Sequence, residues 1–247
     1  MKKVALVTGG ARGIGKKVVE TLADNGYVVV VNYNSSVERA KSFEKQLKQS
    51  GKECMFVHAD ISQETDVNCM IECVMAKYGR IDVLVNNSAI TNDTLFQDKT
   101  AESFRKILDV NVVGAFNVSK LVGDIMYQQK SGKIINISST NGINTYFPMC
   151  LEYDASKSAL ISLTHNLAVQ FAPYINVNAI APGFIATESE VDGMDEEILK
   201  LESEKTLLKR AGSEQDVANL VNFLASDESN FINNEVIRID GGIYGNL

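Results

Sequence analysis

Short apolar runs alternate with amphipathic stretches from the first residues onward. "KVALVTGG" is an apolar run closed by glycines, and "GIGKKVVETLADNG" follows it with helical periodicity and a glycine stop. "YVVVVN" predicts a second strand, "SVERAKSFEKQLKQSG" a polar-faced helix, and "CMFVHAD" a third strand. "QETDVNCMIECVMAKYG" predicts a third helix and "IDVLVNN" a fourth strand. One long helical region is expected from about Thr100 to Gln129, then the strand "GKIINISS" and a helix from about Cys150 to Phe171. "INVNAIAPG" predicts a sixth strand, and an irregular acidic section separates it from a helix at about Ser213 to Ala225 and the strand "EVIRID".

The strand runs are continuously apolar rather than alternating, as in parallel strands covered by helices on both faces. Repeated β-α-β units with right-handed crossovers predict one α/β domain over residues 1–247. Its core is a Rossmann-type, doubly wound parallel sheet of about seven strands. The sequence shows no linker, low-complexity tract or internal repeat.

Composition narrows the function. The chain is 45% apolar and carries a net charge of -7, which argues against nucleic acid and against an anionic membrane surface as partners. The longest apolar run, "YVVVV", is far short of a membrane span, and the N-terminal run is too short for a secretory h-region. The four cysteines, Cys54, Cys69, Cys73 and Cys150, form no CxxC, so reduced thiols in a cytoplasmic protein are expected. His58 and His165 are the two histidines; neither has metal-ligand spacing, and no G-x-S-x-G elbow is present, so a hydrolase triad and a metal centre are disfavoured.

"TGGARGIG", residues 8–15, falls where the first strand meets the first helix. Glycine lets such a turn fold tightly and admits a phosphate to the backbone, and the helix start adds N–H donors. The spacing is T-G-x-x-x-G-x-G. With Gly9, Gly13 and Gly15 so placed, the segment resembles the cofactor motif of the short-chain dehydrogenase/reductase family. The resemblance runs through nearly the whole chain. "HADIS" is similar to the family segment whose acid, here Asp60, faces the adenine; "NNSAI" is similar to its Asn-Asn-Ala-Gly turn, with Ser88 and Ala89 departing from it. "NVVGAF" supplies Asn111, "NISS" supplies Ser139, "YDASK" supplies Tyr153 and Lys157, and "PGFIAT" matches the segment beside the nicotinamide.

The resemblance implies Asn111, Ser139, Tyr153 and Lys157 as catalytic residues. For the cofactor it implies Gly9, Arg12, Gly13, Ile14, Gly15, Asn32, Asp60, Ile61, Asn87, Tyr153, Lys157, Pro182, Gly183 and Thr187. NAD-selective sites place an acid near the end of the second strand. Here that position reads "VNYNSS", with Asn32 and no acid, while Arg12 in the glycine loop suits a 2'-phosphate. NADP(H) is therefore expected ahead of NAD(H).

Tyr153 and Lys157 are one helical turn apart. A phenol titrates near ~10, and an ammonium ~4 Å away stabilises its anion by roughly 4 kcal/mol at a dielectric of ~20, enough to bring it near neutrality. The pair predicts a general acid for a ketone that receives hydride. Ser139 is expected to hold the carbonyl oxygen, with Ser138 as the alternative. By resemblance Asn111 holds a water that resupplies protons to Lys157; its alternative reading is a polar residue satisfying a helix irregularity. A nucleotide sensor without catalysis is the rival class, and it usually lacks the Tyr or the Lys.

Residues 184–212 read as a substrate lid, rich in acids: Glu188, Glu190, Asp192, Asp195, Glu196, Glu197, Glu202 and Glu204. Within the family the chain is most similar to 3-oxoacyl-(acyl-carrier-protein) reductases, which implies a ketone or acyl-thioester substrate and the acidic acyl carrier protein as a partner. Lys130 and Lys133 are candidates for docking it, whereas "FAPYINVN" has Pro173 and Tyr174 where the family carries a basic residue. Hydroxysteroid, sugar or polyol oxidoreduction is the alternative. By resemblance the helical region at Thr100–Gln129, the helix at Cys150–Phe171 and the last strand build the interfaces of a homotetramer.

Overall fold

The computed structural model describes residues 2–144, 146–192 and 194–243, without the side chains of residues 189 and 190. Seven strands form one sheet in the order β3-β2-β1-β4-β5-β6-β7, and every neighbouring pair is parallel. They are β1 (Val4–Val7), β2 (Val28–Tyr33), β3 (Cys54–His58), β4 (Val83–Asn86), β5 (Gly132–Ile137), β6 (Ile175–Pro182) and β7 (Val236–Ile239). The helices are α1 (Gly13–Asp24), α2 (Val37–Gln49), α3 (Glu64–Tyr78), α4 (Ala101–Leu108), α5 (Gly114–Gln129), α6 (Leu151–Gln170), α7 (Glu188–Val191), α8 (Glu196–Glu204) and α9 (Glu214–Ala225).

The strands β1 to β6 feed two cores, because successive side chains point to opposite faces. In β1, Ala5 and Val7 join one core with Val18 and Leu22 of α1, Phe43 of α2 and Val221 of α9. Val4 and Leu6 join the other with Met70 of α3, Val118 and Val122 of α5 and Leu167 of α6. Each fully buried side chain such as Leu6, Leu22 or Leu84 contributes roughly 1.5–3 kcal/mol. The strand order reverses between β1 and β4, which opens a crevice at the carboxyl ends of those strands.

The expected long helix at Thr100–Gln129 is in fact α4, a π segment at Asp109–Val113 and α5. Period alone does not reveal a one-residue insertion in a helix; π segments of this kind occur frequently at functional sites. The acidic section also carries more order than expected, namely α7 and α8. It leaves and returns at one place: Ile185 bridges Gly212, and Gly212 N donates to Phe184 O at 3.0 Å. Two of its acids have local work. Asp195 caps α8 by accepting from Glu197 N, and Glu202 pairs with Lys205 at 2.5 Å. Glu190 has its side chain outside the described residues.

All four cysteines are free thiols. Among the described residues no helix is long and apolar enough to cross a membrane, and no cluster of three or more His, Cys, Asp or Glu side chains could hold a metal.

Candidate active site

The glycine loop is built for close approach. Gly9 has φ +62°, and a Cβ there would lie 2.9 Å from Ser88 Oγ. A Cβ on Gly15 would lie 2.4 Å from the Gly9 carbonyl oxygen. Gly13 has φ +50° but faces open space, with Thr187 Cγ2 at 4.0 Å the nearest atom to its would-be Cβ. Arg12, exposed at the start of α1, offers the helix no side-chain cap. The first-turn N–H groups are thus left for an anion, and the room beside Gly13 suits the diphosphate of a dinucleotide.

Three side chains hold this loop from below. Asn87 Nδ2 donates to Thr8 O at 3.0 Å and Gly9 O at 3.2 Å, while Thr8 Oγ1 accepts from the amides of Asn87 and Ser88. Asn32 is buried, accepts from Gly9 N at 3.4 Å and donates to Ala59 O at 3.0 Å. Its side chain therefore braces the loop from β2. Ala89 is absent from the residues with positive φ, so this turn takes an alanine without strain.

The other cofactor candidates divide in the same way. Asp60 lies past the end of β3, with Oδ1 accepting from Ser62 N at 2.9 Å and Ser62 Oγ at 2.7 Å. The Ile61 side chain is buried under α5, where a Cβ on Gly114 would meet it at 2.6 Å, and its carbonyl accepts from Asn117 Nδ2 at 3.1 Å. Ile14 packs, partly buried, on the α1 core. Pro182 ends β6, Gly183 N donates to Ile239 O, and Thr187, within the 184–212 segment, lies opposite Gly13.

The four catalytic candidates converge through α6. Lys157 is buried and donates from Nζ to Ile137 O, the last residue of β5, at 2.7 Å. Its Nζ lies over the Tyr153 ring, 5.3 Å from the centroid. Burial pushes the ammonium pKa down to about 8. Ser139, half-buried just past β5, starts a turn that packs on the same helix: a Cβ on Gly142 would lie 2.7 Å from the Lys157 carbonyl. Ser138 is buried and donates to Lys157 O at 2.9 Å, so its hydroxyl is taken up in joining β5 to α6. The Ser139 hydroxyl accepts from Asn141 N at 3.2 Å, and its proton is not committed to the link between β5 and α6. Asn111 reaches the group from the π segment. Its amide donates to Ile90 O (2.9 Å) and Ser156 Oγ (3.0 Å), and its Oδ1 accepts from Ile90 N at 2.8 Å. Ser156 in turn donates to Tyr153 O at 2.7 Å.

Sequence reasoning missed one device here. Asp154, next to Tyr153, accepts from Asn141 Nδ2 at 2.7 Å and from Phe147 N at 3.0 Å, so it ties the Ser139 turn to α6. It also misplaced Lys133, which is buried and donates to Asn230 Oδ1 at 2.7 Å. Lys133 is not available to a docking protein; Lys130 is exposed, at the opposite end of β5 from Ser139.

A phosphate cradle at the first β-α turn, with a buried ammonium under a phenol at the adjoining strand ends, defines an oxidoreductase of Rossmann architecture. A family model described as "Enoyl-(Acyl carrier protein) reductase" matches residues 9–244. The chain belongs to the short-chain dehydrogenase/reductase family. It is 38% identical over 245 residues to the 3-oxoacyl-(acyl-carrier-protein) reductase of Staphylococcus aureus, covering 99% of each chain. It is 38% identical over 243 residues to the enzyme of that name from Synechocystis, covering 98% of this chain and 96% of the other. Among solved structures it resembles a gluconate 5-dehydrogenase from Burkholderia cenocepacia in complex with NADP and tartrate. The TM-score is 0.92 at 29% identity, over 100% of this chain and 97% of that one.

Proposed function

We propose that this protein reduces the keto group of a 3-oxoacyl thioester, carried on acyl carrier protein or coenzyme A, with NADPH. The observation that carries the substrate is the full-length likeness at 38% identity to reductases of that name. NADPH is supported by the exposed Arg12 at the phosphate cradle, the absence of an acid at the end of β2, and the NADP in the related dehydrogenase. The nicotinamide, when bound, supplies the hydride.

The chain's own residues manage the oxygen and the proton. Ser139 donates a hydrogen bond to the carbonyl oxygen, and that bond strengthens as negative charge develops. Tyr153 gives its proton to the same oxygen as the carbon accepts hydride. At about 5 Å and an effective dielectric of ~20, the Lys157 charge stabilises the resulting phenolate by roughly 3 kcal/mol, about two pKa units. Asn111 uses both amide hydrogens as a clamp, and its Oδ1 keeps one lone pair for a water leading toward Lys157.

The exposed apolar side chains of Leu95, Phe96, Tyr146 and Phe147, on the segments before α4 and α6, favour an acyl chain over a polyol. Two of the acids of residues 184–212, Asp195 and Glu202, cap or pair within the segment, which reduces the charge it turns toward an acidic carrier. The second reading, sugar or polyol oxidoreduction, is favoured by the gluconate dehydrogenase likeness. Exposed Phe116 and Val169 on α5 and α6, with β7 at the sheet edge, support a homotetramer. NADPH oxidation over a panel of acetoacetyl-CoA, 3-oxoacyl carrier protein, steroid ketones and 5-ketogluconate tests the reading. Highest kcat/KM on the thioesters supports it; highest kcat/KM on the sugar acid replaces it with the second.

A further inference from the structure

Glu152 precedes Tyr153 on α6, and it is fully buried. Its partner is Lys99, from the loop between β4 and α4, with Nζ 2.5 Å from Oε2 and a side chain only 7% exposed. The same ammonium donates to Met149 O at 2.9 Å and Asn92 O at 3.1 Å. Thr94 N donates to Met149 O at 3.3 Å, and Ser103 of α4 donates to Glu152 Oε1 at 3.5 Å. One ion pair thus joins the 92–99 loop, the turn at 148–150 and the first turn of α6. The loop and the turn carry the exposed Leu95, Phe96 and Met149, and the turn leads directly into the helix that bears Tyr153.

Burial of two charges is a weak source of stability, because an apolar pair of similar volume often does as well or better. An ion pair adds direction. The ammonium's donors point at fixed oxygens on three segments, so the segments cannot slide past one another as greasy surfaces can. Glu152 also sits in the first turn of α6, where the helix amides favour a carboxylate. Burial alone raises its pKa, but Lys99, the backbone and Ser103 outweigh that and hold it below the ordinary value.

We propose that Lys99 and Glu152 are positioning residues, whose ion pair registers the first turn of α6 against the 92–99 loop and so sets where the Tyr153 hydroxyl meets a substrate carbonyl. The inference rests on the reading of Tyr153 as proton donor. It predicts that replacing the pair by apolar residues keeps the fold and the cofactor but lowers turnover.

The test uses the full-length protein, NADPH, and whichever ketone of the panel above the wild type turns over fastest. Melting temperature, NADPH Kd, kcat and KM are measured for wild type, the double variant Lys99→Met with Glu152→Leu, and Tyr153→Phe. The expected double variant melts no lower than wild type and binds NADPH within about twofold, yet loses about tenfold or more in kcat, the equivalent of a misplaced proton donor. A folded double variant with wild-type kcat overturns the proposal. Should the double variant fold poorly, Glu152→Asp decides instead: it keeps the charge but shortens the reach, and lower kcat at unchanged NADPH affinity supports the proposal while unchanged kcat overturns it. An inactive Tyr153→Phe beside a fully active apolar pair removes only the positioning role. An active Tyr153→Phe removes the proton-donor reading and this inference with it.

Discussion

The Lys157 ammonium donates a 2.7 Å hydrogen bond to the Ile137 carbonyl at the last residue of β5. That single bond crosses from helix to sheet. It places the cation under the Tyr153 ring and beside the strand end that leads to Ser139, so the groups proposed to handle the proton and the carbonyl share one frame.

Lys157 sets the pH response. Burial pushes its pKa down to about 8, so reduction that depends on the ammonium falls as pH rises through about 8. The check is kcat/KM against pH at saturating NADPH, with a descending limb near 8 in wild type.

Stability moves the other way. The folded pKa lies below the ordinary 10.5, so between about 8 and 10.5 the unfolded chain binds more protons and stability rises with pH. Below about 8 the full cost of burying the charge, roughly 3 kcal/mol, is present. Lys157→Met is therefore expected to be more resistant to urea than wild type at pH 7, with the advantage shrinking across that window, and to be inactive.

Arg12 is proposed to discriminate between the cofactors. Arg12→Ala should weaken NADPH about tenfold or more, the worth of a charge-assisted pair with a phosphate, and leave NADH within about twofold. Calorimetric titration of both cofactors gives the comparison; equal losses for the two would assign Arg12 a general role.

Gly15 has no room for a side chain. A Cβ there lies 2.4 Å from Gly9 O, so Gly15→Ala must displace the loop against Asn87. The expected protein keeps its circular dichroism spectrum and loses about a hundredfold in NADPH affinity, roughly 3 kcal/mol. Wild-type affinity would show that the loop is not the phosphate cradle.

Asp154 fastens the Ser139 turn. Asp154→Ala frees both Asn141 and Phe147, with an expected fall of about tenfold in kcat/KM at unchanged NADPH affinity. Steady-state kinetics and a cofactor titration on the same preparation separate the two effects.

Local patterns made most of the fold legible. The apolar runs of β1, β2, β4 and β5 and the glycine punctuation after α2 and α3 predict the doubly wound sheet, since each signal lies within one element. Gly9, Gly13, Gly15, Tyr153 and Lys157 stand out in the sequence because turn geometry and helical spacing constrain residue type, whereas Ser139 is singled out by family resemblance. What escaped depends on contacts between distant segments. The π segment at Asn111 is fixed by Ile90 and Ser156, 21 and 45 positions away. Lys99 meets Glu152 only after the β4 loop folds over α6, and Lys133 is buried only because the segment around Asn230 covers it. No period or short motif records such pairings.

The central claim, that an acidified phenol protonates the carbonyl, is tested most directly by Tyr153→Phe, with NADPH-dependent ketone reduction and NADPH Kd measured side by side. Removal of the hydroxyl should lower kcat by about a thousandfold or more and leave Kd within about twofold. Turnover at the wild-type rate by the phenylalanine variant would contradict the account.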